Sequence, residues 1–201
     1  MHPTSLAVST AVPYMKINVL LWAAWLLYWL ISAASARKNE ISEARRSRLL
    51  HLAFIAIAFA LLFSDRLDVA PFQYPLRAGS RFFGPLGDIV TAGGLGFAVW
   101  ARLHLGRYWS GRITLKEGHR LIRTGPYRLT RHPIYTGFLT AVLGSALTLN
   151  ELRGPLAFVI VLAAYFRKIH REEKTLKRAF GSEYETYRRE VKALVPFMFL
   201  V

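Results

Sequence analysis

The sequence predicts an all-α integral membrane protein with about five transmembrane helices, the last two forming a helical hairpin, followed by a C-terminal amphipathic helix. Three observations lead there. Apolar residues make up 53% of the 201 residues and mean hydropathy is +0.27, high for a chain that folds in water. These residues are gathered into long runs, with the charges collected between them. The segments 37–48, 104–131 and 167–192 hold five, seven and nine of the 27 Lys and Arg residues, whereas the alternate segments 65–85 and 150–155 hold three and one. That asymmetry places the N-terminus outside and the C-terminus in the cytoplasm.

The net charge of +15 does not point to nucleic acid, because a DNA-binding face needs a folded soluble domain to display it and these charges alternate with hydrophobic runs. Cysteine is absent, which excludes disulfides, thiolate metal sites and thiol nucleophiles.

Residues 1–103 are expected to form N-terminal transmembrane helices at about 17–36, 49–64 and 86–103. Ile17 to Ala36 carries no formal charge and spans roughly 30 Å at about 1.5 Å per residue. Ala34-Ser-Ala36 resembles a leader cleavage site, but Trp22, Trp25, Tyr28 and Trp29 within the run, with five basic residues after it, favour a retained span. Leu49 to Phe63 is a second apolar run, and Pro71, Pro75, Gly79, Gly84 and Pro85 then mark an exterior loop. In 86–103, Gly93, Gly94 and Gly96 allow a close helix approach, while Asp88 and Arg102 are expected at the membrane interfaces.

Residues 104–201 form the second unit. The basic, glycine-rich stretch 104–131 predicts turns and a short extended piece. A hairpin follows, about 133–150 and 155–180, turning at Asn150-Glu-Leu-Arg-Gly-Pro155, with Gly137, Ala141 and Ser145 as a small-residue stripe. Gly181 ends its second arm. Ser182 and Glu185 then form a capping-box pattern for a surface helix at about 182–194, with Tyr184, Tyr187, Val191 and Leu194 on one face and basic residues toward anionic head groups.

Pro133 fits the first turn of a helix, since its missing N–H is one of those left unpaired there anyway. Arg131, His132 and Tyr135 therefore stand at the mouth of an apolar helix whose free N–H groups and dipole favour an anion. Glu172 and Glu173 follow Arg167 and Lys168 at a second helix end on the same side of the membrane. Cations on one wall and carboxylates on the other suit a zwitterion of amino-acid type. Each residue also has a plainer reading: His132 as an N-cap, the arginines snorkelling to lipid phosphates, the glutamates on a solvated face. No pair of histidines has ligand-like spacing, so no metal is expected.

Gly118-His-Arg-Leu-Ile-Arg-Thr-Gly-Pro-Tyr127, Arg131-His-Pro-Ile-Tyr-Thr-Gly137, Glu172-Glu173, Phe180-Gly-Ser-Glu-Tyr184, Tyr187 and Leu194-Val-Pro196 resemble the isoprenylcysteine carboxyl methyltransferase family and its bacterial relatives, which include phospholipid methyltransferases. The resemblance covers about residues 100–197. It implies an enzyme of the bacterial inner membrane that takes S-adenosyl-L-methionine from the cytosol, releases S-adenosyl-L-homocysteine, and methylates a lipophilic acceptor drawn from the bilayer. By motif position, His119, Leu121, Gly125, Tyr127, His132, Pro133, Tyr135 and Gly137 would line the cofactor site and Glu172 and Glu173 would close it. Arg131 and Arg167 would stand near the reacting centre, and Glu172, Glu173 or His132 is the candidate base for an amine acceptor. The acceptor is a phospholipid amine, a prenylcysteine carboxylate or a small lipophilic metabolite. The rival readings are a sterol-reductase-like enzyme using NADPH and a non-catalytic lipid-binding scaffold.

Overall fold

The computed structural model describes residues 3–34, 45–64, 66, 76, 82–106 and 121–195, with side chains from residue 14 in the first helix and from residue 46 in the second. Five α-helices follow in order: α1 (Pro3–Ala34), α2 (Arg45–Phe63), α3 (Phe83–Leu105), α4 (Pro133–Leu149) and α5 (Arg153–Glu190). A 3-10 turn, Gly125–Arg128, precedes α4. No strand occurs among the described residues, so the all-helical expectation is met.

Helix α1 starts at Pro3, well before the expected residue 17. Two helices are long and apolar enough to cross a membrane by themselves, over Tyr14–Ala33 and Arg46–Phe63, while α4 is a shorter apolar helix. Both long helices turn large apolar side chains outward. Leu20, Leu27 and Ile31 are 61–68% exposed, an arrangement that suits hydrocarbon and would be unfavourable in water.

The closest pairing in the bundle is between α3 and α4, and glycine makes it. A Cβ on Gly94 would lie 2.5 Å from the backbone nitrogen of Ala141, and one on Gly137 would lie 2.5 Å from the carbonyl of Gly94. Gly87 and Gly144 repeat the arrangement a few turns away, against Thr148 and Thr91. With no side chain to hold them apart, the backbones meet. Of the three α3 glycines expected to do this, only Gly94 does; a Cβ on Gly93 or Gly96 would meet nothing within 4 Å.

Asp88 and Arg102, expected at the membrane interfaces, are both buried within the protein near the two ends of α3. Asp88 accepts from Asn18 Nδ2 (3.0 Å) and Thr148 Oγ1 (3.3 Å), and Arg102 donates to the carbonyls of Ser32 (2.9 Å) and Gly106 (3.0 Å).

The hairpin forms as expected, with Asn150 ending α4 in the left-handed conformation (φ 52°) that asparagine tolerates well. Helix α5 breaks at Gly181 (φ 53°, ψ −123°), where the sequence placed its end. The piece beyond the break stops at Glu190, and Val191 is extended. Its tyrosine face is not offered to lipid: Tyr184, Tyr187 and Leu194 are buried, because that face packs on the turn before α4 and its neighbours. Glu185 pairs with Lys177 across the break (2.5 Å) rather than closing a capping box on Ser182.

Candidate active site

The stretch from Gly125 to His132 turns the chain into α4 by a sequence of specific contacts. Gly125 has φ +59°, and a Cβ there would lie 2.6 Å from the His104 ring at the end of α3. Only glycine meets both conditions. His104 Nε2 lies 2.9 Å from Thr124 Oγ1, and the ring stacks at 6.4 Å on Tyr127, whose carbonyl accepts a hydrogen bond from Tyr187 Oη (2.6 Å).

The first turn of α4 is then covered by the segment that follows α5. Arg131 and His132 donate their backbone N–H groups to Lys192 O (2.8 Å) and Ala193 O (3.0 Å), and Thr136 Oγ1 donates to Leu194 O (2.7 Å). The N–H groups of Tyr135 and Thr136 reach His132 O, and Pro133 has none. The helix end is therefore largely satisfied by the protein itself, which corrects the expectation of free donors there. The anions beside this helix end are the protein's own glutamates, which its dipole favours.

His132 makes no side-chain cap. Its ring faces across to α5 instead, with Nε2 3.2 Å from Glu173 Oε1 and Nδ1 3.9 Å from Glu172 Oε2. Arg131 lies on the same carboxylate through Nε (2.8 Å) and Nη2 (2.7 Å), while its Nη1 donates to the carbonyls of Arg188 (3.2 Å) and Val191. Burial opposes charge on Glu173, but hydrogen bonding from His132 and the positive charge of Arg131 outweigh it and hold the carboxyl at about 2. Glu173 is thus a locked tie between the two helices.

Glu172 differs. Its side chain is 29% exposed against 11% for Glu173, and its Oε2 accepts from Tyr135 Oη at 2.7 Å. Tyr135 is clamped between aromatic faces, stacked on His132 (5.5 Å, 7° between planes) and on Tyr165 (4.7 Å), with Lys168 Nζ 5.3 Å from its ring centroid. Glu172 thus presents a partly exposed carboxylate oriented by Tyr135, which can accept a further charge-assisted hydrogen bond.

Of the residues singled out from the sequence, Arg131, His132, Tyr135, Glu172 and Glu173 come together in this cluster, with Tyr127 and Gly125 in the turn that leads to it. Pro133 starts α4, and Gly137 packs on α3. Leu121 is partly buried at the start of the described turn region, and His119 lies outside the described residues. Arg167 donates to Ser47 O (2.9 Å) and Oγ (3.5 Å), and Arg171 also reaches Ser47 Oγ, so this pair ties α5 to the first turn of α2. Tyr165 was missed. Its signal was present in the spacing, since residues 165, 168 and 172 share one face of a helix.

Fold and site together define a class: an apolar helical bundle that carries, at one end, a histidine–tyrosine–glutamate cluster joined across a helical hairpin. The fold is similar to that of the solved eukaryotic intramembrane Ras methyltransferase ICMT, with a TM-score of 0.60 and 21% identity over 97% of this chain and 68% of that one. Residues 90–178 match the model of the isoprenylcysteine carboxyl methyltransferase family, so the resemblance drawn from the motifs holds. Over 88 residues, 43% of this chain and 46% of the relative, the sequence is 42% identical to the probable protein-S-isoprenylcysteine O-methyltransferase of Oryza sativa subsp. indica. It is 41% identical over 71 residues to the methanethiol S-methyltransferase of a Pseudomonas strain, covering 35% of this chain and 26% of the relative. The chain thus spans about half the length of the first of these relatives and a quarter of the second.

Proposed function

We propose that this chain is a membrane-embedded methyltransferase that uses S-adenosyl-L-methionine and acts on a lipophilic acceptor at the cytoplasmic face. One observation carries the reading: two helix tips distant in sequence meet, with Tyr135 Oη 2.7 Å from Glu172 Oε2 and His132 Nε2 3.2 Å from Glu173 Oε1. The names of the relatives and the family match support it. The residues fit the cofactor chemically, since a partly exposed, oriented carboxylate suits its ammonium group. When bound, the cofactor supplies an electrophilic methyl group.

The chain's own residues do the rest. Glu172 binds the cationic amino-acid head and Tyr135 fixes the carboxylate's orientation. Glu173, Arg131 and His132 hold the two helix tips in register, so Arg131 acts by positioning. Stacked aromatic rings exclude water, which favours a displacement governed by proximity and alignment. Arg167, bonded to Ser47, joins α5 to the start of α2 and so acts by positioning. The five helices form the membrane domain, the N-terminus outside and the C-terminus in the cytoplasm, where the basic segments gather. The test is calorimetry with S-adenosyl-L-homocysteine in detergent, followed by incubation of membranes with methyl-labelled cofactor. Saturable binding and a labelled lipid-soluble product are expected; a flat titration would overturn the reading.

A further inference from the structure

Buried polar atoms without a hydrogen-bond partner include two donors on α1, Trp25 Nε1 and Tyr28 Oη, and one carboxylate oxygen on α3, Asp88 Oδ2. The two donors belong to uncharged groups. Asp88 differs, because its carboxylate sits inside an apolar bundle at 8% exposure and, among the described residues, no lysine, arginine or histidine pairs with it. A carboxylate buried in that way is costly unless a positive partner shares its site.

The surroundings of Asp88 are rich in oxygen and poor in hydrogen. Its Oδ1 lies 3.0 Å from Asn18 Nδ2 and 3.3 Å from Thr148 Oγ1. The same Thr148 hydroxyl lies 3.2 Å from Gly144 O and 3.5 Å from Gly84 O, so three oxygens compete for one hydrogen. The Asn18 amide is spread as thinly, since its two hydrogens face Asp88 Oδ1, Thr91 Oγ1 (3.0 Å) and Thr148 Oγ1 (3.4 Å). Asn18 and Thr91 are fully buried and Thr148 is 2% exposed. Oxygen acceptors therefore outnumber hydrogens around one uncompensated carboxylate, and a cation supplies what the hydrogens do not.

We propose that this cluster, where α1 and α3 meet the end of α4, is a structural site for a monovalent alkali-metal cation, with Asp88 as its charged ligand and Thr148 as a neutral one. Carboxylate, hydroxyl and carbonyl oxygens are hard ligands, which suit such ions and not the softer transition metals. One carboxylate balances one positive charge, whereas a divalent ion would leave an excess charge inside an apolar bundle. Histidine spacing carries no sign of a site of this kind, because all its ligands are oxygens. The cation ties three helices together at the end of α4 remote from Glu172, so the inference stands apart from methyl transfer. Asn18 and Asp88 also lie outside the residues 90–178 that match the family.

The experiment measures the thermal midpoint of the purified full chain in detergent, first in choline chloride and then as sodium or potassium chloride replaces it at constant ionic strength. One of the two metal ions should raise the midpoint saturably, by roughly 3–6 °C at about ten times its dissociation constant, and the better ion gives the size of the site. Asp88→Asn keeps the shape and loses the charge, so it should abolish the rise. Thr148→Val keeps the carboxylate and should move half-saturation to a severalfold higher concentration. A midpoint equal in all three salts, a rise that does not saturate, or a rise that survives in Asp88→Asn would overturn the inference. Should Asp88→Asn fail to fold, Thr148→Val decides, and an unmoved half-saturation overturns it. A midpoint that answers to acid but to neither metal ion would assign the carboxylate a proton and also overturn it. None of these outcomes depends on binding of S-adenosyl-L-homocysteine, so the methyltransferase reading stands or falls separately.

Discussion

At the far end of α4, Ser145 and Thr148 join Asn18, Trp22, Asp88 and Thr91 in a cluster drawn from three helices, held by hydrogen bonds of 2.7–3.4 Å. At the near end, roughly 20 Å away at about 1.5 Å per residue, His132 and Tyr135 meet Arg131, Glu172 and Glu173. The far cluster is closed, with Asn18, Thr91 and Ser145 fully buried. The near cluster spreads opposite charges across a hairpin and leaves one carboxylate partly open. A closed polar cluster holds helices together; an open one with an oriented charge can take a ligand. The difference separates polar residues that serve the fold from those that serve chemistry, although both sit inside an apolar bundle.

Breaking the open end should have the largest functional effect. Glu172→Gln removes the charge from the oriented carboxylate, and S-adenosyl-L-homocysteine affinity measured by calorimetry should fall roughly ten- to a hundredfold, matching the loss of about 1.5–3 kcal/mol for a charge-assisted hydrogen bond. An unchanged affinity would mean that the open carboxylate is not a binding group. Next in size is the seam on which both clusters depend. Gly94→Val inserts atoms where a single Cβ would already lie 2.5 Å from Ala141 N, so α3 and α4 must separate and both the thermal midpoint and ligand affinity should drop.

Closing on the far end, Asp88→Ala deprives Asn18 and Thr148 of an acceptor. A loss of about 1–3 kcal/mol of stability is expected, seen as a lowered thermal midpoint with ligand affinity retained. A loss of affinity comparable to that of Glu172→Gln would erase the proposed division of labour. The smallest effect concerns acid. Because Glu173 is held at about 2, below its ordinary 4.5, its ionised form stabilises the fold above pH 4.5 and that contribution disappears as pH falls toward 2. The midpoint difference between wild type and Glu173→Gln should therefore shrink across that interval, and a constant difference would show that the charge is not what matters.

Much of this was legible beforehand. Long uncharged runs and alternating basic segments are local properties, and they foretold the helices, the hairpin turn at Asn150 and the break at Gly181. Pro133 marked the start of α4 because proline is confined to a first turn. His132 does occupy the N-cap position of α4, but its side chain caps nothing and turns instead to Glu173, 41 residues away. Arg167, expected near the reacting centre from its motif position, bonds to Ser47 of α2, a contact 120 residues away in sequence that no local pattern announces.

By itself, then, the chain determined where its helices run and which residue types crowd at their ends, since hydropathy, proline and glycine act within a few residues. Tertiary structure decided which glycines meet, which of two adjacent glutamates is locked and which stays open, and which buried donors on α1 lack a partner. Those outcomes depend on atoms brought within about 3 Å from positions far apart in sequence, a distance at which hydrogen bonds form or fail and which no local pattern encodes.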